Sequence, residues 1–308
     1  MRNYTLLVLL CCSLFVPAHA QNRRHAAPEE PGAAAVLPFR LYGNQIVIPA
    51  MVSGSSDTLH FIFDTGTEVT ILHYGLAKKL NLPLRQKAGV TATNNLMLKV
   101  NTTTLNVLYL DKTKIPFLKV YLENIPEFRK GPLLIDGFIG IDLLRQYVVK
   151  IDYANQRLVL YPPGTSLKFA GAQIMPFELN FRTPVIPATI ELDDGQSLTA
   201  NYHVTTGGDY GLLFNWPYVQ EHQLADRMST VGSEEVQDLL KTYSYVNSRI
   251  PSLSVGKTQL HKVPVSYCKD VNDKGQTMEI AGAIGYAVWK QFSAVIINYR
   301  QHELYLQP

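Results

Sequence analysis

An aspartate follows directly after an apolar run, a position at which a charged side chain requires an explanation. Residues 61–72 read FIFDTGTEVTIL, so Asp64, Thr65 and Gly66 follow a short hydrophobic strand directly. Burying a carboxylate costs free energy unless partners or a function compensate. Alone, the D-T-G triplet favours a turn or a cap, because Asp and Gly are common turn residues. Its surroundings must decide whether Asp64 does chemistry.

A second apolar run with glycines follows about 70 residues later. Residues 133–144 read LLIDGFIGIDLL. Glycine at the end of a strand leaves room for another backbone to pass close by. Gly137–Gly140 is therefore predicted to lie beneath the Asp64 loop, where Gly66 permits a tight turn.

The chain then repeats itself. Residues 36–52 parallel 174–190, residues 60–72 parallel 201–213, and residues 137–162 parallel 282–308. Asp64 and Gly140 are 76 positions apart, and Thr205 and Gly285 are 80 apart. Short β-like runs alternate with turn residues throughout, which indicates an all-β fold. Two copies of one lobe are expected, with short helices at 74–80, 141–146, 216–221 and 287–291.

The second copy lacks the acid. Its triplet is Thr205-Thr206-Gly207, so a hydroxyl and a methyl group stand where the carboxylate of Asp64 stands in the first copy. Asp209 follows four residues later, and as a substitute acid it would shift the register and place two glycines in a strand. A turn residue is the better interpretation of Asp209.

These motifs resemble the aspartic peptidases of the retropepsin/pepsin superfamily, over residues 36–308. They most resemble the exported, two-lobed aspartyl-protease-like proteins of Gram-negative bacteria. The resemblance implies an all-β fold of two pepsin/retropepsin-like β-barrel lobes, an interlobe cleft for a peptide, and flap hairpins at 89–99 and 231–245. In such enzymes two carboxylates share one proton: the ionised one activates water and the neutral one donates to the substrate.

The resemblance also assigns the site. Asp64 is the expected catalytic carboxylate, and Thr65 and Thr206 supply hydroxyls that can bond across the lobes. The remaining expected members of the active-site loops are Gly66, Thr205 and Gly207. Losing one positioned acid or base costs about 10²–10⁴ in rate, so the residues favour inactivity over activity.

Three functions stay open at this point. The first is an aspartic endopeptidase that hydrolyses peptide bonds through Asp64 and an unusual second acid. The second is a pseudo-peptidase that binds extended peptides without cleaving them, and the third is a structural protein of the cell envelope. Pairing of first lobes from two chains would need a domain swap, so a monomer is expected.

The domain organisation follows from composition. Residues 1–20 read as a signal peptide, with Arg2 as its basic region, an apolar stretch, and Ala-His-Ala before the cleavage site. Residues 21–35 are expected to be a disordered lead-in. The first lobe is placed at 36–161, a Pro/Gly-rich linker at 162–172, and the second lobe at 173–308.

Charge and cysteine content limit the classes of partner that are expected. The formal net charge is +3 and the basic residues are scattered, which argues against nucleic acid. Two of the three cysteines lie in the signal peptide, so Cys268 would be the only thiol of the mature chain. No metal-ligand spacing or cofactor motif is present. The expectation is an exported protein, periplasmic or extracellular, with no membrane span, no cofactor and a peptide or protein as its ligand.

Overall fold

A computed structural model describes residues 30–91, 97–129, 132–165, 167–237, 242–269 and 279–308. The predicted signal peptide lies outside the described residues, as does the lead-in up to residue 29. The tips of the two predicted flaps, 92–96 and 238–241, also lie outside them. The boundaries of the predicted domains stay predictions.

The first half of the chain contains eleven strands, two helices and one 3-10 turn (Pro126–Arg129) within the described residues. The strands are β1 (Ala35–Pro38), β2 (Arg40–Tyr42), β3 (Gln45–Val52), β4 (Leu59–Phe63), β5 (Ile71–His73), β6 (Arg85–Thr91), β7 (Met97–Leu110), β8 (Thr113–Glu123), β9 (Gly137–Ile139), β10 (Val148–Asp152) and β11 (Arg157–Tyr161). The helices are α1 (Tyr74–Lys79) and α2 (Ile141–Leu144).

The second half repeats this order of elements with one added helix. Its strands are β12 (Gln173–Pro176), β13 (Glu178–Asn180), β14 (Thr183–Glu191), β15 (Ser197–Val204), β16 (Leu212–Phe214), β17 (Ser229–Gln237), β18 (Thr242–Val255), β19 (Thr258–Cys268), β20 (Ile280–Ile284), β21 (Ala294–Asn298) and β22 (Glu303–Gln307). The helices are α3 (Trp216–Glu221), α4 (Leu224–Arg227) and α5 (Tyr286–Trp289).

Each half builds one eight-stranded sheet with the same strand order. The first is β2-β3-β4-β9-β5-β8-β7-β6, and the second is β13-β14-β15-β20-β16-β19-β18-β17. Additional pairings of β3 with β7 and of β14 with β18 close six strands of each sheet into a ring. The predicted all-β fold with two barrel lobes is therefore confirmed.

Apolar runs form the strands that carry the site. In β4, Phe61, Ile62 and Phe63 are each 0% exposed, because both faces of the strand are covered. Strands buried on both faces read as continuous hydrophobic runs rather than as alternating patterns. Phe61 and Phe63 pair in parallel with Gly137 and Ile139 of β9. The expected placement of the glycine-rich run beside the Asp64 strand is therefore confirmed.

A third sheet joins the two halves. Its six strands run β1-β11-β10-β21-β22-β12, so each half supplies three. The halves meet where β10 pairs antiparallel with β21, with Lys150 opposite Ile296. The flanking pairs, Val149 with Ile297 and Ile151 with Val295, exchange places under a two-fold rotation. The repeat is thus a near-symmetric dimer within one chain.

The start of the described chain is anchored on this sheet. Glu30 accepts hydrogen bonds from Lys150 at 2.7 Å and from Arg157 at 2.8 Å, and it also bonds the Tyr161 hydroxyl. Arg157 bonds Asp152 as well, at 2.9 Å. The carboxylate of Glu30 thereby satisfies donors that are largely shielded from water, and the disordered lead-in at 21–35 stays a prediction.

We expect Glu30→Ala to lower the free energy of unfolding by about 2 kcal/mol, because hydrogen bonds between charged groups contribute about 1.5–3 kcal/mol and Asp152 still pairs with Arg157. Urea unfolding of the variant and the parent measures this difference. Glu178→Ala, at an exposed position of β13, is the matched control. Equal midpoints for the two variants would contradict the anchoring role.

Among the described residues, no helix has both the length and the apolar character needed to cross a membrane. Cys268 lies at the end of β19 and is 3% exposed, as expected for a small buried side chain.

Candidate active site

Two loops, one from each lobe, meet at the centre of the molecule. Thr65 and Thr206 lie two residues after the ends of β4 and β15 and are 1% and 0% exposed. The Thr65 hydroxyl donates to the Val204 carbonyl at 2.6 Å, and the Thr206 hydroxyl donates to the Phe63 carbonyl at 3.2 Å. The Thr65 N–H donates to the Thr206 hydroxyl at 3.1 Å. The expected threonine bonds between the lobes are confirmed, and they fix the two loops against each other.

The Asp64 carboxylate is surrounded by donors. One oxygen, Oδ1, accepts from the Gly66 N–H at 2.8 Å and from the Gly207 N–H at 2.9 Å. The other, Oδ2, accepts from the Thr67 hydroxyl at 2.9 Å. These three hydrogen bonds fix the orientation of the carboxylate between the two loops. Thr67 was not among the expected site residues, although a hydroxyl three positions after the acid is visible in the sequence.

The Gly207 bond shows how the missing acid changes the centre. In the first loop the N–H two residues after the acid serves that acid, from Gly66 to Asp64. In the second loop position 205 has no carboxylate, and the equivalent N–H of Gly207 donates to Asp64. The approach is close, since a Cβ on Gly207 would lie 2.4 Å from the Asp64 Cγ. Only glycine fits between the loops here.

Thr205 lies opposite the first loop, as the symmetry of the repeat predicts. Its methyl carbon would be 2.9 Å from a Cβ on Gly66, a position that itself neighbours the Asp64 carboxylate. Its hydroxyl is 3.0 Å from the Tyr210 hydroxyl and 3.2 Å from the Ile284 carbonyl. Among the described residues, no second carboxyl group hydrogen-bonds Asp64.

Asp209 has its hydrogen-bond partner away from Asp64. Its carboxylate accepts a hydrogen bond from the Asn44 side chain in the β2–β3 turn of the other lobe. Glu68 has the same place in the first loop and faces Arg182 of the β13–β14 turn. Burial raises the pKa of Glu68, and the positive charge of Arg182 acts against that rise. Asp209 therefore belongs to one of two mirrored contacts between the lobes.

Tyr210 is the residue at this centre that sequence reasoning missed. Burial raises the pKa of its phenol far above the ordinary value, and the negative charge of Asp64 raises it further. The group is therefore neutral across the physiological pH range. Nothing in the sequence distinguishes Tyr210 from a loop aromatic, because its nearness to Thr205 and Asp64 depends on how the lobes dock.

The histidines near the motifs form no metal site. The described residues contain no group of three or more His, Cys, Asp or Glu side chains that could hold an ion. His203 of β15 bonds the Asn180 side chain at 3.1 Å, and burial lowers the pKa of His203. His73 has a lowered pKa as well, through burial and the positive charge of Arg129.

Comparison with known families agrees with the geometry of the first loop. Residues 48–143 match the family model described as aspartyl protease. The matched range contains both Asp64 and the glycine-rich strand β9, and it ends before the interlobe sheet. No curated protein matches the chain.

Proposed function

Because residues 48–143 match the aspartyl protease family, we propose that this chain is an aspartic-peptidase-type protein that binds extended peptides between its lobes without hydrolysing them. The observation that carries this proposal is the residue opposite Asp64. Position 205 presents a threonine, and the N–H that would serve an acid there is bonded to Asp64. The chain keeps the frame of a peptidase and half of its acid pair.

Hydrolysis by the family's mechanism needs two protonation states at once. One carboxyl must be ionised to take a proton from water, and its neighbour must be protonated to donate one to the carbonyl oxygen. Asp64 has three donors around it, the Gly66 and Gly207 N–H groups and the Thr67 hydroxyl, and among the described residues it has no carboxyl partner within hydrogen-bond distance. A threonine hydroxyl does not ionise near neutral pH, so Asp64 and Thr205 cannot share a proton as two carboxyls do.

Peptide binding is supported by one edge strand in each eight-stranded sheet. Strands β6 and β17 stand last in the order of their sheets, and each forms an antiparallel hairpin with the next strand. These hairpins coincide with the predicted flaps. An extended peptide can add to such an edge through main-chain hydrogen bonds, and the Asp64 carboxylate can accept a hydrogen bond from a peptide N–H.

Export to the periplasm or beyond is part of the proposal. It is supported by the composition of residues 1–20, with Arg2, an apolar stretch and Ala-His-Ala. A reporter fused after residue 20 and fractionated with the periplasm would test it, with Arg2→Glu as the variant expected to slow export.

The test of function separates binding from cleavage. The chain from Gln21 onward is incubated with an extended-peptide library at about pH 4 and about pH 7, and both retained peptides and new termini are measured. We expect retention and no turnover. Asp64→Asn should weaken retention, whereas Asp57→Asn, which removes a surface charge paired with Lys79, should not.

Two results would overturn the proposal in different ways. Cleavage that disappears in Asp64→Asn would establish the peptidase alternative, with Asp64 as the water-activating carboxylate. Absence of both cleavage and retained peptide would leave only the structural alternative.

A further inference from the structure

Besides the missing acid, the two active-site loops differ at the position five residues further along, among others. Five residues after Asp64 the first loop has Val69, and five residues after Thr205 the second loop has Tyr210. The second loop thus exchanges a carboxylate for a hydroxyl and, at the same time, adds a phenol whose oxygen is 3.0 Å from that hydroxyl.

The phenol ring is held on both sides by glycines. A Cβ on Gly208 would lie 2.3 Å from ring atoms of Tyr210, and a Cβ on Gly285 would lie 2.6 Å from the ring. The Tyr210 carbonyl also accepts the Ala287 N–H at 3.1 Å. The ring therefore occupies a slot that only glycine neighbours leave open, and its hydroxyl is fixed before any ligand arrives.

Either hydroxyl of the Thr205–Tyr210 contact can be the donor, and counting the acceptors around Thr205 favours Thr205 as that donor. The Ile284 carbonyl has two lone pairs and already accepts the Thr205 N–H at 3.1 Å and the Trp289 indole N–H at 2.8 Å. The Thr205 hydroxyl is a third and longer contact to that oxygen, at 3.2 Å. The Thr205 proton is better used toward Tyr210, which leaves the phenol proton for another acceptor.

We propose that the Tyr210 hydroxyl donates a hydrogen bond to a backbone carbonyl of the bound peptide, in the role that a protonated second carboxyl has in a paired-acid centre. The inference rests on the proposed function, since it names the donor for the peptide that the centre binds. Asp64 then accepts and Tyr210 donates, so the centre complements a peptide group, which offers one N–H and one C=O.

A phenol suits binding better than catalysis. It keeps its proton where a carboxylic acid has lost one, and burial together with the Asp64 charge raises the pKa of Tyr210 further. A donor that holds its proton so firmly can orient a carbonyl but does not transfer the proton to it readily. The same residue that strengthens binding therefore leaves the carbonyl unreacted.

The test uses an octapeptide retained by the parent protein and a set of its single thioamide analogues, in which one carbonyl oxygen at a time becomes a weaker acceptor. We expect Tyr210→Phe to weaken binding of the octapeptide about 3- to 10-fold, the loss that goes with one neutral hydrogen bond. One thioamide should weaken binding to the parent by a similar factor and should have no further effect in Tyr210→Phe.

The controls separate a binding role from a structural one. Tyr305→Phe removes a hydroxyl that bonds Glu303 in β22, and it should leave affinity unchanged. Tyr210→Phe keeps the ring, so its unfolding midpoint should stay close to that of the parent. If the parent retains peptide and Tyr210→Phe binds equally well, the inference is wrong while the proposed function stands. If the parent retains no peptide, both are wrong.

Discussion

Gly140→Ala is expected to destabilise the first lobe by at least about 4 kcal/mol, a large fraction of the about 5–15 kcal/mol that ordinarily stabilises a folded protein. Gly140 follows β9 and precedes α2, directly beneath the Asp64 loop. A Cβ at this position would lie 1.8 Å from the Asp64 carbonyl oxygen and 2.8 Å from its carbonyl carbon. Both obstacles are backbone atoms of a loop fixed by the threonine bonds, so neither can move aside cheaply.

Urea unfolding followed by circular dichroism measures this loss, with the yield of soluble protein as a second readout. Gly232→Ala in β17 is the matched control, because nothing lies within 4 Å of a Cβ there. Its free energy of unfolding should change by less than about 0.5 kcal/mol. A Gly140→Ala protein as stable as Gly232→Ala would show that the loop is not packed as described.

Thr205→Asp is expected to hydrolyse peptides, which the parent protein is not expected to do. The rate should exceed the background measured with the parent by about 10²–10⁴. The new carboxylate would lie opposite Asp64, and two like charges so close cannot both ionise, so the pair would hold one proton. The Gly207 N–H, now bonded to Asp64, lies two residues after position 205 and can serve the new acid as Gly66 serves Asp64. Activity should be greatest at acid pH, where one of the two groups is protonated.

New peptide termini, measured by mass spectrometry across pH, report this activity. Thr205→Asn is the control, since it has nearly the shape of aspartate without the charge. Hydrolysis should be absent in Thr205→Asn and in the double variant Asp64→Asn/Thr205→Asp. If Thr205→Asp is as inert as Thr205→Asn, the residue opposite Asp64 is not what limits the reaction.

The repeat in the sequence predicted the fold well because it recurs in the same order in both halves. Of the four expected helices, 216–221 agrees with α3, and the other three differ from α1, α2 and α5 by one or two residues at their ends. The helix α4 was not predicted, because its four residues are too few to show an apolar period. Glu30, inside the predicted lead-in, hydrogen-bonds Lys150, Arg157 and Tyr161, contacts with distant residues that composition alone does not reveal.

Strand partners were harder to predict than strands. The block at 36–52 contains β1, β2 and β3, yet β1 leaves its lobe to pair with β11 in the interlobe sheet. A hydrophobic pattern fixes which face of a strand is buried but not which strand lies beside it. The shared sheet therefore could not be read from the repeat.

At the candidate site, too, some contacts could be predicted from the sequence and others could not. The roles of Thr65 and Thr206 follow from residue type and position, and both bonds are present. The Gly207 bond to Asp64 and the nearness of Tyr210 to Thr205 depend on how far apart the lobes dock, which no single sequence reports. The bonds that equivalent residues of the two loops exchange could be predicted from the repeat, whereas contacts without a counterpart in the other loop had to come from coordinates.

The two-fold relation between β10 and β21, with its axis at Lys150 and Ile296, bears on how such a centre can change. Had two identical copies associated, any substitution would have entered both halves together, and an acid lost once would have been lost twice. Covalent linkage removes that constraint, so the first half can retain the carboxylate of Asp64 while the second half acquires the phenol of Tyr210. The two halves of the centre can therefore differ in sequence, as the halves of a symmetric homodimer cannot.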